Sequence, residues 1–284
     1  MRKLIVSLLF SCFTTFIFSQ GKPAYKLFNA KGNKVSYNKM IKTMKKADVV
    51  LFGEHHNNPI IHWLQFETTK DLFQKRKLIL GAEMLEADNQ KVLDDYLAGN
   101  IDEKALDTLA RLWNNYKTDY QPLVDFAKNN QLKFIATNIP RRFASKVFRG
   151  GFEVLENLTN EEKFWVAPLP IKYDKTLPGY VKMKEMMGGH GGENLPKAQA
   201  IKDATMGYFI TKNRTNRSLF MHYNGSYHSD NYEGIYWYLK ELNNEIKIVT
   251  ITVVEQENIK KLKKEELKKA DFIIVVPKTM TKTY

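Results

Sequence analysis

With 284 residues, 43% hydrophobic and 12% aromatic, the chain has enough apolar side chains for a sizeable core, which excludes a disordered or low-complexity protein. Its formal charge of +13 favours anionic partners such as carboxylates, phosphates or a membrane surface, although no nucleic-acid-binding module accompanies the lysines. A single cysteine, Cys12, excludes a disulfide framework.

The first element is a leader. Residues 1–19 place Arg2 and Lys3 before an apolar run that ends at Ser19, the layout of a secretory signal peptide. Its removal leaves residues 20–284 as one α/β domain with no thiol, so cysteine catalysis is not expected. Cys12 offers an alternative, because Leu9-Phe10-Ser11-Cys12 loosely matches a lipobox. Both readings make the protein exported, in the periplasm or cell envelope, with membrane attachment only through lipidation. No later stretch approaches the ~20 apolar residues that a spanning helix needs.

Six short apolar runs then read as strands: 48–52, 78–82, 132–136, 218–221, 246–251 and 272–276. Stretches with helical spacing lie between them, at Ile60 to Phe66, Val92 to Leu97 and Leu123 to Ala127. Pro59 and Pro140 suit first helical turns. The alternation predicts a largely parallel, doubly wound sheet flanked by helices. A long, mostly helical insertion, about 141–216, separates the third and fourth main strands and contains the glycine-rich loop Gly188-Gly189-His190-Gly191-Gly192, read as mobile. The lysine run 260–264, followed by Glu265 and Glu266, reads as a solvated helix face.

In a parallel sheet the residues just after each strand gather along one edge, where ligands bind. That edge would collect Gly53-Glu54-His55-His56, then Glu83, then Asn138 with Arg141, then His222-Tyr223-Asn224-Gly225 running on to Tyr227 and His228. The fifth and sixth strands end without comparable chemistry. A carboxylate beside buried backbone must be paired, hydrogen-bonded or bound to a cation. A structural pair of Glu83 with Arg141 is the plain alternative to a functional site. For His55 and His56 the plain alternative to a functional role is that one is a buried hydrogen-bonding residue and the other faces solvent. His62 reads as structural. The turn holding His228 can approach a ligand closely at Gly225, and His190 sits either on a lid or on an ordinary surface loop.

At these residues the chain resembles the ChaN-like haem-binding family of exported bacterial proteins and lipoproteins. The matching stretches are LFGEHHNNPIIHWLQ, GAEML, the Trp113 to Tyr120 region with PLVDFAKNN and ATNIPRR, KAQAIKDATMGYFI, and HYNGSYH, in the family's order. One departure is Gly207, where members often carry alanine. The resemblance implies haem binding and iron acquisition. The family is similar in turn to a TIKI and erythromycin-esterase-like superfamily whose Gly-Glu-x-His element, second glutamate and Gly-x-x-His element are linked to hydrolysis. On this chain that correspondence falls on Glu54, His55, Glu83 and His228.

Two functions from different classes follow. For haem, with no thiol in the mature chain, the axial candidates are His190, Tyr223, Tyr227 and His228. Met186, Met187 and Tyr180 would form an apolar wall, and Arg141 and Arg142 would face the propionates. A haem shared across a homodimer would account for a ligand on a loop. For a hydrolase, Glu54, His55, Glu83 and His228 would hold a divalent metal ion and its water, or His55 would act as a base beside Arg141 without metal.

Overall fold

The computed structural model describes residues 21–186 and 192–284, so the leader with Cys12, Met187 and the His190 loop tip lie outside the described residues. In chain order the elements are β1 (Lys26–Asn29), α1 (Tyr37–Met44), β2 (Val49–Glu54), α2 (Pro59–Phe73), β3 (Lys77–Glu86), α3 (Gln90–Leu97), α4 (Glu103–Leu109), α5 (Gln121–Asn129), β4 (Phe134–Asn138), α6 (Arg141–Gly150), α7 (Pro178–Met186), α8 (Asn194–Asn213), β5 (Ser218–Gly225), α9 (Ile235–Leu242), β6 (Ile248–Gln256) and β7 (Phe272–Pro277). None of the described helices is long and apolar enough to cross a membrane.

The seven strands run in the order β1-β7-β6-β2-β5-β3-β4. Every pair is parallel except β1 with β7, an antiparallel edge pairing that the sequence reading missed. From β2 the chain passes outward to β3 and β4, then returns through α6, α7 and α8 to insert β5 between β2 and β3, and continues through β6 and β7 on the other side. This reversal puts the ends of β2, β5 and β3 side by side.

Alternation along the strands divides the core between two faces. Val50, Phe52, Leu219 and Met221 pack with Met40, Leu64, Leu93 and Val124 from α1, α2, α3 and α5. Val49, Leu51 and Phe220 pack with Met206, Ile210 and Leu239 from α8 and α9. Asn58 caps α2, its side chain accepting from the Ile61 N–H, and Pro59 occupies the first turn as expected. The Gly207 departure has a packing reason: a Cβ there would stand 3.0 Å from Tyr238 Cβ, where α8 crosses α9.

Three expectations change. The strands extend beyond the apolar runs, so Glu83 lies within β3 and His222 to Gly225 within β5. Parallel pairing continues through Gly53 with Asn224 and Glu54 with Gly225, which keeps these polar residues in the ladder. The 260–266 lysine stretch is not a helix face, having only the short 3-10 turn Lys264–Glu266 with Leu262 buried.

Gly53 fixes how closely the site approaches the sheet. A Cβ at this position would meet the Ile251 carbonyl oxygen at 2.7 Å and Ser226 Cα at 3.0 Å, both backbone atoms that cannot swing aside. Gly53→Ala is expected to destabilise the fold by about 1–3 kcal/mol. Urea unfolding of the two proteins checks this.

Candidate functional site

Two buried polar networks meet at the carboxyl ends of β2, β5 and β3. In the first, Glu54 is fully buried, and its carboxylate accepts from Gln65 Nε2 at 2.7 Å and from the Tyr120 hydroxyl at 2.6 Å. His56 Nδ1 lies 2.9 Å from the same group. His62 stands between Glu54, at 3.8 Å, and Asp119, at 3.5 Å, with Nε2 on the His56 carbonyl at 3.0 Å. Burial alone would raise the Glu54 carboxyl, but the His56 hydrogen bond, the neighbouring imidazoles and Tyr120 outweigh it and hold the group below its ordinary range. Burial disfavours a charged His56, yet Glu54 and Glu83 more than compensate and shift it upward.

The second network is an ion array. Glu83 accepts the Gly225 N–H at 2.7 Å and lies 3.1 Å from His228 Nε2, while His228 Nδ1 is 2.5 Å from Asp203 on α8. All three side chains are buried. Burial would lower His228, but the two carboxylates push it up to about 10. Burial likewise opposes an ionised Glu83, and there the charge of His228, its hydrogen bond, His56 and the Gly225 N–H drive the carboxyl well below its usual range. At Asp203 burial, helped by the nearby charge of Glu83, outweighs the His228 and Tyr180 contacts and shifts the carboxyl upward. One imidazolium therefore serves two carboxylates, and Asp203 takes up a proton first. Gly225 lets the networks touch, since a Cβ there would stand 2.9 Å from His56 Cε1 and Nε2.

These contacts sort the sequence candidates. Glu83 pairs with His228, not with Arg141, which lines a separate cleft. His56, not His55, joins Glu54: His55 is 40% exposed and faces Glu255 at 3.3 Å, while the His56 side chain is 34% exposed and packs edge-on against Trp113. Both histidines are partly open, so the division into one core and one solvent residue does not hold. Tyr223 is fully buried with its hydroxyl 2.6 Å from Thr69, and both His228 nitrogens face carboxylates, so neither offers an atom to haem iron. Tyr180 is buried, with its hydroxyl on Asp203, rather than part of an open wall. His222 is buried against Thr137 and Asn224, and burial lowers it to about 4, keeping it neutral.

Tyr227 is the exposed candidate. Its side chain follows Ser226 on the 3-10 turn Ser226–His228, is 47% exposed, and donates to the Gly179 carbonyl at 2.9 Å. Burial, then Glu233 and Asp203, raises its hydroxyl, so the free phenol keeps its proton. Among the described residues no three His, Cys, Asp or Glu side chains are arranged to hold a metal ion, which leaves the divalent-metal alternative without support.

Sequence reading missed Asp203, Tyr120, Gln65 and Glu255. Asp203 was the legible one, a lone carboxylate amid alanine, threonine and methionine on a buried helix. Glu255 belongs to a strand end expected to carry no chemistry.

Residues 40–239 match the family described as haem-binding uptake, Tiki superfamily, ChaN. This chain belongs to the ChaN family. A solved structure entitled cofacial heme binding to ChaN of Campylobacter jejuni is similar at TM-score 0.65 and 20% identity, covering 89% of this chain and 96% of that one. A succinoglycan biosynthesis protein, at TM-score 0.53 and 13% identity, covers 89% and 94%. A Bacillus cereus protein, at TM-score 0.51 and 12% identity, covers 89% and 95%. At these identities the likeness shows the fold alone. The comparison with curated proteins finds no match.

The ion array dictates a pH dependence. Because His228 is raised from its ordinary 6.5 to about 10, the stability it contributes is complete below about pH 6.5 and is lost as pH rises towards 10. The depressed Glu83 contributes stability above its ordinary 4.5, lost under acid conditions. His228→Gln is expected to cost about 3–5 kcal/mol at neutral pH, by leaving buried carboxylates without a counter-charge, and to flatten the alkaline decline. Thermal melts from pH 6 to 10 on both proteins check this.

Proposed function

We propose that the protein binds haem, with Tyr227 as the iron ligand drawn from the described residues. The observation that carries the reading is that Tyr227 alone among the described axial candidates combines a suitable donor with exposure, on a turn locked by Glu83, His228 and Asp203. The donor set fits the group: ferric haem accepts a phenolate where thiolates are lacking, and basic side chains suit its propionates. Bound haem would supply a Lewis-acidic ferric centre to the phenol oxygen.

The chain's own residues do the rest. The turn presents the Tyr227 ring, and the bond to the Gly179 carbonyl holds its hydroxyl in place until the proton leaves. Because the phenol keeps its proton when free, ligation releases one, and affinity rises with pH. The reading extends to an exported protein of haem or iron acquisition, in which a homodimer shares the haem.

Hemin titration tests it. Tyr227→Phe is expected to weaken binding at least tenfold and to remove the iron–phenolate charge-transfer absorption, whereas Tyr223→Phe leaves the spectrum unchanged. Hemin binding to Tyr227→Phe with wild-type affinity and spectrum would overturn the assignment.

A further inference from the structure

A cleft of about 890 Å³ lies beside the first polar network, lined in part by Trp113, Asn115, Arg111, Arg141, Arg142 and Tyr284. Its guanidinium groups are not equivalent. Arg111 bonds Glu86 at 2.9 Å and also pairs with Asp88, and Arg142 reaches Asp88 at 2.5 Å, so their charges are matched. Arg141, exposed at the first turn of α6, has no carboxylate partner among the described residues. The N-terminal end of that ten-residue helix has no side-chain cap and adds positive potential to the same wall. Opposite charge and an aromatic face thus stand together in a cleft large enough for a small planar molecule.

The cleft also has a tethered aromatic in it. After β7 the chain crosses the carboxyl edge of the sheet: Lys278 N–H donates to the Gln256 carbonyl at 3.0 Å, Thr283 N–H to the Asn57 carbonyl at 3.0 Å, and the Thr283 hydroxyl to Asp119 at 3.0 Å. Lys282 pairs with Glu255 on the way. Tyr284 then lines the cleft with its ring 67% exposed. Residues 278–284 belong to no helix or strand, so lifting the crossing breaks only these contacts and leaves the sheet ladder intact.

We propose that the cleft is a binding site for a planar carboxylic acid, stacked on Trp113 with its carboxylate on Arg141, and that the 278–284 segment competes for it. Charge-assisted bonding to a guanidinium with no other partner supplies the affinity, and a flat aromatic ligand uses the surface that the Tyr284 ring now lines. Two sources share this chemistry, the propionate of a porphyrin and a free aromatic acid. Where the ligand is a porphyrin, the proposal rests on the haem reading and adds the site that receives the propionate.

Calorimetric titration of the full chain with iron-free protoporphyrin IX, its dimethyl ester and 3-(4-hydroxyphenyl)propionate decides the matter. At least one of the two acids is expected to bind, Arg141→Ala to weaken it about tenfold, and the combined Thr283→Val and Tyr284→Ala change to tighten it severalfold. Binding of the porphyrin alone names a propionate as the source, and binding of the phenolic acid names a free aromatic acid. Esterification should cost the porphyrin as much as losing Arg141, an arm that uses the unaltered protein and cannot fail through misfolding. The proposal falls if neither acid binds, if Arg141→Ala leaves affinity unchanged, or if releasing the segment fails to tighten binding. None of these ligands contains iron, so they make no demand on Tyr227. A hemin result against Tyr227 therefore leaves this outcome intact, and the converse also holds.

Discussion

Two carboxylates and one imidazole share a single dry site where β3, the turn after β5 and α8 meet, and the chain must keep that charge balanced. An isolated buried carboxylate is far too costly to persist, so docking of α8 and closure of the turn are tied to one another through His228. The consequence extends to the neighbour of His228. Tyr227 is presented outward because the next residue is held inward, and the exposed phenol inherits its position from a structural ion array.

The network around Glu54 follows the same logic, its oxygens engaged by Gln65, Tyr120 and His56. The most conspicuous polar residues of the sequence are thus largely committed to one another. A carboxylate that already accepts several short hydrogen bonds has little capacity left for a metal ion, and an imidazolium clamped at both nitrogens is neither base nor ligand. Groups facing solvent are less conspicuous: a tyrosine on a turn, a partly open His56 and an arginine that opens a helix.

Much of this was legible in advance. Apolar runs located six of the seven strands because buried parallel strands are continuous in hydrophobicity, and the common strand direction brought Glu54, Glu83 and His228 to one edge. Pairing within that edge was not legible. Glu83 has two basic residues in plausible reach by sequence, Arg141 and His228, and only the placement of β5 between β2 and β3 selects His228. The choice between His55 and His56 turns on a single peptide's direction at a strand end, which periodicity does not specify. Asp203 escaped because an acid on an apolar helix reads as a blemish until its partner is known. β1 escaped for a different reason: four residues are too few for a period, and an edge strand is defined by its partner.

That partner has a kinetic meaning. Lys26 lies opposite Val275 and Asn29 opposite Phe272, so the first strand of the sheet joins the last. Ends this distant in sequence are slow to find each other, since the entropy of closing the intervening chain must be overcome before any contact rewards it. Edge completion therefore awaits synthesis through β7. A chain whose outermost pairing cannot form early keeps that edge of the sheet open while it is being made.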